Sequence, residues 1–247
     1  MRPKKRLGQH FLHESRYLER IAKECPLEGK PVLEIGAGPG NLTRYLARRA
    51  SRVYAVEKDP EASSLLREAG LEGVEVVEGD ALKISWDFFQ DGVCAGNLPY
   101  YISSPLVRKF LGNWRRFSAG CFLLQWELAE KFSSPRGRKT SPLSILLYNF
   151  YTPQLKFKIP PGAFSPPPRV HSGFLVLERR EKPLFDFPLE EMERFLRRIF
   201  SRRRKTVYNN LKAYYPEEKL QGLRGRLRPE EMGLEEIFYL FKVLHRS

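Results

Sequence analysis

Cysteine is scarce, with three in 247 residues at positions 25, 94 and 121. They form no Cys-x-x-Cys pair and only four histidines accompany them, which argues against a metal site. An odd, widely spaced set points to reduced thiols in a cytoplasm. No apolar run approaches the length of a membrane span. The basic start, Met1-Arg2-Pro3-Lys4-Lys5-Arg6, is not followed by the apolar core of a signal peptide. Internal repeats are absent too.

What remains is a folding chain with an uneven charge. The apolar fraction of 42% predicts a packed core rather than disorder. The length suits one large domain plus a small one. Lys and Arg number 43 against 29 Asp and Glu, a formal net charge of +14, which suggests a polyanionic partner. The excess is segregated. Residues 21–100 carry 9 basic and 13 acidic side chains, and the remainder carries 34 and 16. The middle therefore suits a small cationic ligand and the flanks suit phosphate.

The segment at residues 4–12, Lys-Lys-Arg-Leu-Gly-Gln-His-Phe-Leu, mixes charge with apolar groups that need burial. A helix is predicted after it, with Leu18, Ile21 and Ala22 on one face. Then come a strand (31–35), the loop Gly36-Ala37-Gly38-Pro39-Gly40 and a helix over 41–47. Glycines let a backbone turn sharply and approach a ligand closely, although such a loop alone is equally a tight turn. A second strand ends in Glu57, 21 positions after Gly36, about where nucleotide-binding α/β folds grip a ribose. Asp59-Pro60 reads as an N-cap followed by a first-turn proline. A third strand (74–78) ends in Gly79-Asp80, whose carboxylate can accept a hydrogen bond from an adenine amine.

Alternating strands and helices predict a parallel sheet with ligands beyond its carboxyl ends. A dinucleotide fingerprint would place glycine where Asn41 stands. S-adenosylmethionine has no pyrophosphate, carries a sulfonium cation and fits the acidic middle, so it is the expected cofactor.

The fourth strand ends in Asn97-Leu98-Pro99-Tyr100. As a turn this tetrad is ordinary. Beside the cofactor it suits a flat base with an exocyclic amine. The Asn97 side-chain oxygen and a carbonyl of Leu98 or Pro99 would accept from the amine and favour a more tetrahedral nitrogen. Tyr100 would stack on the base, an interaction worth about 1–3 kcal/mol. Catalysis would then be positioning and desolvation, without a general base.

Further along, a fifth strand (120–124), a polar basic loop (133–139), a buried helix (141–151) and two strands (155–159 and 173–177) are predicted. The stiff stretch between the last two, residues 160–170, carries Phe164, which either walls the other face of the base or fills the core. From Pro183 the pattern is helical, with Met192, Phe195, Leu196, Ile199 and Phe200 at core spacing. Arg202, Arg203, Arg204 and Lys205 then suit an RNA backbone. The expected boundary divides a catalytic domain, 1–182, from a helical RNA- or ribosome-binding domain, 183–247.

Taken together, residues 5–12, 34–40, 57, 79–80, 96–100, 164–172 and 200–211 resemble the ribosomal RNA adenine dimethyltransferase family, and its bacterial small-subunit branch in particular. That resemblance implies a Rossmann-like α/β methyltransferase sheet with helices on both faces and a small all-α C-terminal domain. It implies S-adenosylmethionine bound through His10, Leu12, Gly36, Glu57, Asp80 and Asn97, with Gly38 in the same loop. It also implies N6,N6-dimethylation of two neighbouring adenines near the 3′ end of the RNA, on an immature small subunit, with a role in subunit assembly; a monomer is expected. His10 and Tyr101 stand where many members have Asn. The alternatives are a large-subunit methyltransferase of the antibiotic-resistance type, a non-catalytic assembly factor and, more distantly, a dehydrogenase.

Overall fold

A computed structural model describes residues 9–135, 137–221 and 227–245. The basic residues 4–6 and Arg136 of the 133–139 loop lie outside them. The chain divides into two compact units: Met1–Glu130 with Tyr151–Arg179, and Lys131–Phe150 with Arg180–Ser247.

The first unit is built on a seven-stranded sheet. Its strands are β2 (Val32–Ile35), β3 (Val53–Glu57), β4 (Val74–Glu78), β5 (Gly92–Asn97), β6 (Phe117–Gln125), β7 (Tyr151–Ile159) and β9 (Ser172–Arg179), in the order β4-β3-β2-β5-β6-β9-β7. From β4 to β6 every pairing is parallel. The uniformly parallel sheet expected from sequence fails at β9, which runs antiparallel to both β6 and β7. The reason is local. Residues 160–171 link β7 to β9 without a crossover helix, and so short a return yields an antiparallel pair. A separate two-stranded ribbon joins β1 (Phe11–Leu12) to β8 (Phe164–Ser165).

Both sheet faces are covered. On one, Val32, Ala55, Ala95, Cys121 and Leu123 pack with Leu18, Ile21 and Ala22 of α1 (Ser15–Glu24) and Leu46 of α2 (Thr43–Leu46). The three α1 residues are those its helical spacing predicts. On the other, Phe110 of α4 (Ser103–Gly112) meets Phe117, Phe122 and Tyr151 at centroid distances of 5.2, 5.1 and 4.9 Å. Helix α3 (Pro60–Glu68) starts as its sequence predicts, with Asp59 accepting the Glu61 N–H at 3.2 Å and Pro60 in the first turn. Helix α5 (Trp126–Ser133) follows β6. The three cysteines are free and buried.

The second unit is helical: α6 (Pro142–Phe150), α7 (Leu189–Ile199), α8 (Val207–Leu211), α9 (Glu217–Leu220) and α10 (Leu234–His245). Met192, Phe195, Leu196 and Ile199 are fully buried, whereas Phe200 ends α7 half-buried. Phe238 stacks on Phe185 at 4.0 Å and Phe195 meets Phe241 edge-on at 5.4 Å. Asn149 clamps the returning chain, donating to the Phe185 carbonyl at 3.1 Å and accepting its N–H at 2.9 Å. Residues 131–150, expected in the larger domain, thus belong to this unit, and the division falls at 179/180 rather than 182/183. Among the described residues no helix is long and apolar enough to cross a membrane.

Candidate active site

Four adjacent parallel strands, β4, β3, β2 and β5, end at one edge of the sheet and deliver Asp80, Glu57, Gly36 and Asn97 to it. The chain order reverses between β2 and β5, the position at which open α/β sheets leave a crevice. A cleft of about 730 Å³, including space open to solvent, lies there, and all four residues line it together with His10, Pro99 and Tyr100.

The glycine loop is shaped by what crosses it. Gly36 and Gly38 have φ of +71° and +57°. A Cβ on Gly38 would lie 2.7 Å from the Phe11 ring, so glycine is required there on both counts. Gly38 also donates its N–H to Glu57 Oε2 at 2.7 Å. Glu57 Oε1 accepts the Lys58 and Asp59 N–H groups at 2.9 and 2.8 Å. Three main-chain donors therefore fix this buried carboxylate and leave about one of its four acceptor positions for a ligand.

Asp80 is held differently. It accepts the Leu82 N–H at 3.0 Å and pairs with Lys58 at 2.9 Å. The hydrogen bond from Lys58 holds its carboxyl below the usual range, against a smaller opposing effect of burial.

Asn97 donates its Nδ2 to the His10 carbonyl at 2.7 Å. That bond decides the amide's orientation and leaves Oδ1 as its acceptor. The Pro99 carbonyl already accepts from the Ile102 N–H at 3.1 Å and the Ser103 hydroxyl at 3.0 Å. The Leu98 side chain is buried, and its N–H donates to the Leu123 carbonyl at 3.2 Å. Of the two carbonyls left open by sequence, Leu98's is the less committed.

Tyr100 shares a hydrogen bond with Ser172 at 2.7 Å, and burial raises its phenol above the ordinary value. Its ring stacks on His10, with centroids 5.5 Å apart and planes at 28°. His10 Nδ1 lies 2.7 Å from the Pro166 carbonyl oxygen. A carbonyl only accepts, so the proton sits on Nδ1. Leu12 is buried outside this cleft, and its carbonyl accepts from Asn41 Nδ2 at 2.9 Å.

For Phe164 the sequence left two places open, over the base or in the core. Phe164 is 2% exposed within the core cluster and does not line the cleft. Its strand pairs Leu12 with Phe164 and Phe11 with Ser165, so its effect on the site passes through the segment bearing His10. The ring facing Tyr100 is His10.

Sequence reasoning also missed Glu34. It lies 1% exposed in β2, and burial drives its carboxyl up to about 8, with Thr43 opposing and Glu57 reinforcing the shift. Its Oε2 has no hydrogen-bond partner among the described residues. With Leu12, Asn41 and Leu42 it lines a smaller cavity that shares Phe11, Gly36 and Asn97 with the main cleft. The signal was available as an acid inside a strand otherwise apolar throughout.

Arg202, Arg203, Arg204 and Lys205 form an exposed turn between α7 and α8 in the second unit, not a helix face. Arg203 donates to the Thr140 carbonyl at 2.8 Å.

Comparison with known proteins supplies the class. The model of the ribosomal RNA adenine dimethylase family matches residues 1–240. The chain belongs to the ribosomal RNA adenine dimethylase family. It is 35% identical to ribosomal RNA small subunit methyltransferase A of Thermotoga neapolitana, over 100% of this chain and 94% of that protein. A probable ribosomal RNA small subunit methyltransferase A of Methanosarcina acetivorans is 41% identical over 82% of this chain and 76% of its own. Among solved structures, a dimethyladenosine transferase from Plasmodium falciparum superposes with a TM-score of 0.82 at 27% identity, covering 94% of this chain and 96% of that one. The 23S rRNA methyltransferase ErmE superposes at 0.76 with 30% identity, covering 96% and 100%. As a member of this dimethylase family the protein is an S-adenosylmethionine-dependent rRNA adenine dimethyltransferase. The cleft fits such a donor, since it offers the carboxylates of Glu57 and Asp80 for a nucleoside, with Gly36 of the glycine loop in its lining.

Proposed function

We propose that this dimethylase modifies the N6 amines of two adjacent adenines near the 3′ end of small-subunit rRNA, acts as a monomer on an immature small subunit, and contributes to its assembly. End-to-end similarity to relatives named small subunit methyltransferase A supports the choice of subunit. The likeness to ErmE keeps large-subunit RNA as the substrate to be tested against it.

In this reading Glu57 takes ribose hydroxyls and Asp80 takes the adenine amine of the donor, while His10, Gly36 and Asn97 enclose the rest, supported by Leu12 and Gly38 from outside the cleft. Bound S-adenosylmethionine supplies an electrophilic methyl group. The protein's part is to present a poor nucleophile correctly. One observation carries the acceptor half: Asn97 Nδ2 donates to the His10 carbonyl, which fixes the amide and leaves Oδ1 to accept from the target amine. Oδ1 of Asn97 and the Leu98 carbonyl together bind two N–H groups and draw the amine's lone pair out of the ring. Pro99 stiffens the turn and has no N–H to compete. Tyr100, anchored by Ser172, stacks on the base. Phe164 supports this arrangement through the β1–β8 ribbon. Arg202, Arg203, Arg204 and Lys205 hold RNA phosphates.

The test is to incubate the protein with labelled donor and either unmethylated small subunits or large-subunit RNA, and to map the modified bases. Dimethyladenines at two neighbouring small-subunit positions are expected. Transfer to large-subunit RNA alone would overturn the assignment.

A further inference from the structure

We propose that Lys109 is a positioning residue for the adenine end of the methyl donor, gathering from α4 the carbonyls of the turn that carries Asp80. The proposal rests on the reading of Asp80 as the acceptor of the donor's adenine amine.

An ammonium group has three N–H donors. Lys109 Nζ places all three on main-chain carbonyls of one short turn: Ala81 at 2.8 Å, Leu82 at 3.2 Å and Ile84. The turn's N–H groups point the other way. Leu82 donates to Asp80 Oδ1 at 3.0 Å, while Lys83 and Ile84 donate to the Asp80 carbonyl at 2.8 and 3.0 Å. Residues 80–84 are thus clasped from both sides, by Lys109 through their carbonyls and by Asp80 through their N–H groups. Asp80 and Ala81 both line the cleft.

The lysine is an expensive choice for mere packing. Burial works against its charge, and Asp80 is the group that favours it. Its ammonium also lies 4.7 Å from the centroid of the Trp86 ring, which is fully buried. Lys58, the other cation at Asp80, is exposed and must share the carboxylate when an amine arrives. Among the described residues Lys109 hydrogen-bonds the main chain alone, so it can stay in place and keep the carboxylate aimed while Lys58 yields. The turn without Lys109 would leave three carbonyls short of a partner and free to reorient.

The test uses two ligands that need no turnover: S-adenosylhomocysteine and its 6-oxo counterpart, S-inosylhomocysteine, which lacks the amine. Titration calorimetry on the wild type should show a preference for the adenine ligand. In Lys109→Met that ligand should bind about tenfold more weakly, with the 6-oxo ligand little changed, so that the preference narrows. A general loosening of the fold would weaken both ligands alike and leave the preference intact, and that result overturns the proposal. If Lys109→Met does not fold, Lys109→Gln, whose shorter side chain and two N–H donors cannot hold all three carbonyls, carries the same comparison, and an unchanged preference there is equally fatal. A wild type that does not distinguish the ligands would instead refute the role of Asp80 and take the proposal with it.

Discussion

Replacing Glu34 by glutamine isolates the cost of keeping an acid inside β2. The folded protein holds this carboxyl at about 8, against 4.5 for an ordinary glutamate. Below pH 4.5 it is neutral in both folded and unfolded states and contributes no pH dependence. Between 4.5 and 8 the unfolded chain ionises while the folded protein does not, so the folded state loses ground as pH rises. Above 8 both are ionised and the loss levels off. At about 1.4 kcal/mol per tenfold, the full loss is about 5 kcal/mol, and about 3 of it has accrued by pH 7.

Glutamine has nearly the same shape and no titration. Relative to wild type, Glu34→Gln should therefore gain about 4 kcal/mol of stability between pH 5 and pH 9. All three tryptophans, Trp86, Trp114 and Trp126, lie in the first unit. Urea unfolding followed by tryptophan fluorescence thus reads the unit containing Glu34 without the helical one. Parallel stability profiles for the two proteins across this range would refute the reasoning, because they would mean that Glu34 is already ionised in the fold, with a counter-charge or water the geometry does not reveal.

Asn97→Ala should lower methyl transfer by about a hundredfold, since it removes both an acceptor for the amine and the clamp on His10; RNA affinity, measured by filter binding, should stay within about twofold, and an equal fall in both would make Asn97 structural. Neutralising Arg202, Arg203, Arg204 and Lys205 together should flatten the slope of log affinity against log salt by up to about 3, and an unchanged slope would remove the tract from the RNA contact. Phe164→Ala should cost about 3–5 kcal/mol by opening a core cavity, read by the same tryptophan signal. Unchanged stability would show instead that the ring is free to leave the core for the base.

Much of the site was legible because its chemistry sits at strand ends. Gly36, Glu57, Asp80 and Asn97 each follow a short apolar run, and parallel pairing of those runs suffices to bring them to one edge. Where the sequence misled, a distant segment decided. The direction of β9 follows from a return loop without a helix. The assignment of residues 131–150 to the helical unit depends on Asn149 meeting the chain at Phe185 and on Phe150 meeting Phe187 at 6.1 Å, 36 and 37 positions later. Phe164 carries no local mark separating a base wall from a core ring, and its pairing with Leu12, some 150 residues away, places it in the core. The sequence marks Lys109 only as a basic residue next to Arg108.

A common device explains why such contacts escape sequence. Glu57 is fixed by three N–H groups, Asp80 partly by one, Asn97 by a carbonyl, and Lys109 by three carbonyls. Every residue has a main chain, so a partner of this kind leaves no trace in the residue type. The same device frees the side chain at position 10. The clamp on Asn97 comes from the carbonyl of residue 10 and survives any side chain there that leaves the β1–β8 ribbon intact. The imidazole is free to do something else, and here it stacks on Tyr100 while its Nδ1 proton is held by Pro166. A base that stacks on Tyr100 must meet or displace that ring. The imidazole therefore bears on how the acceptor enters, and leaves the orientation of the amide that receives it unchanged.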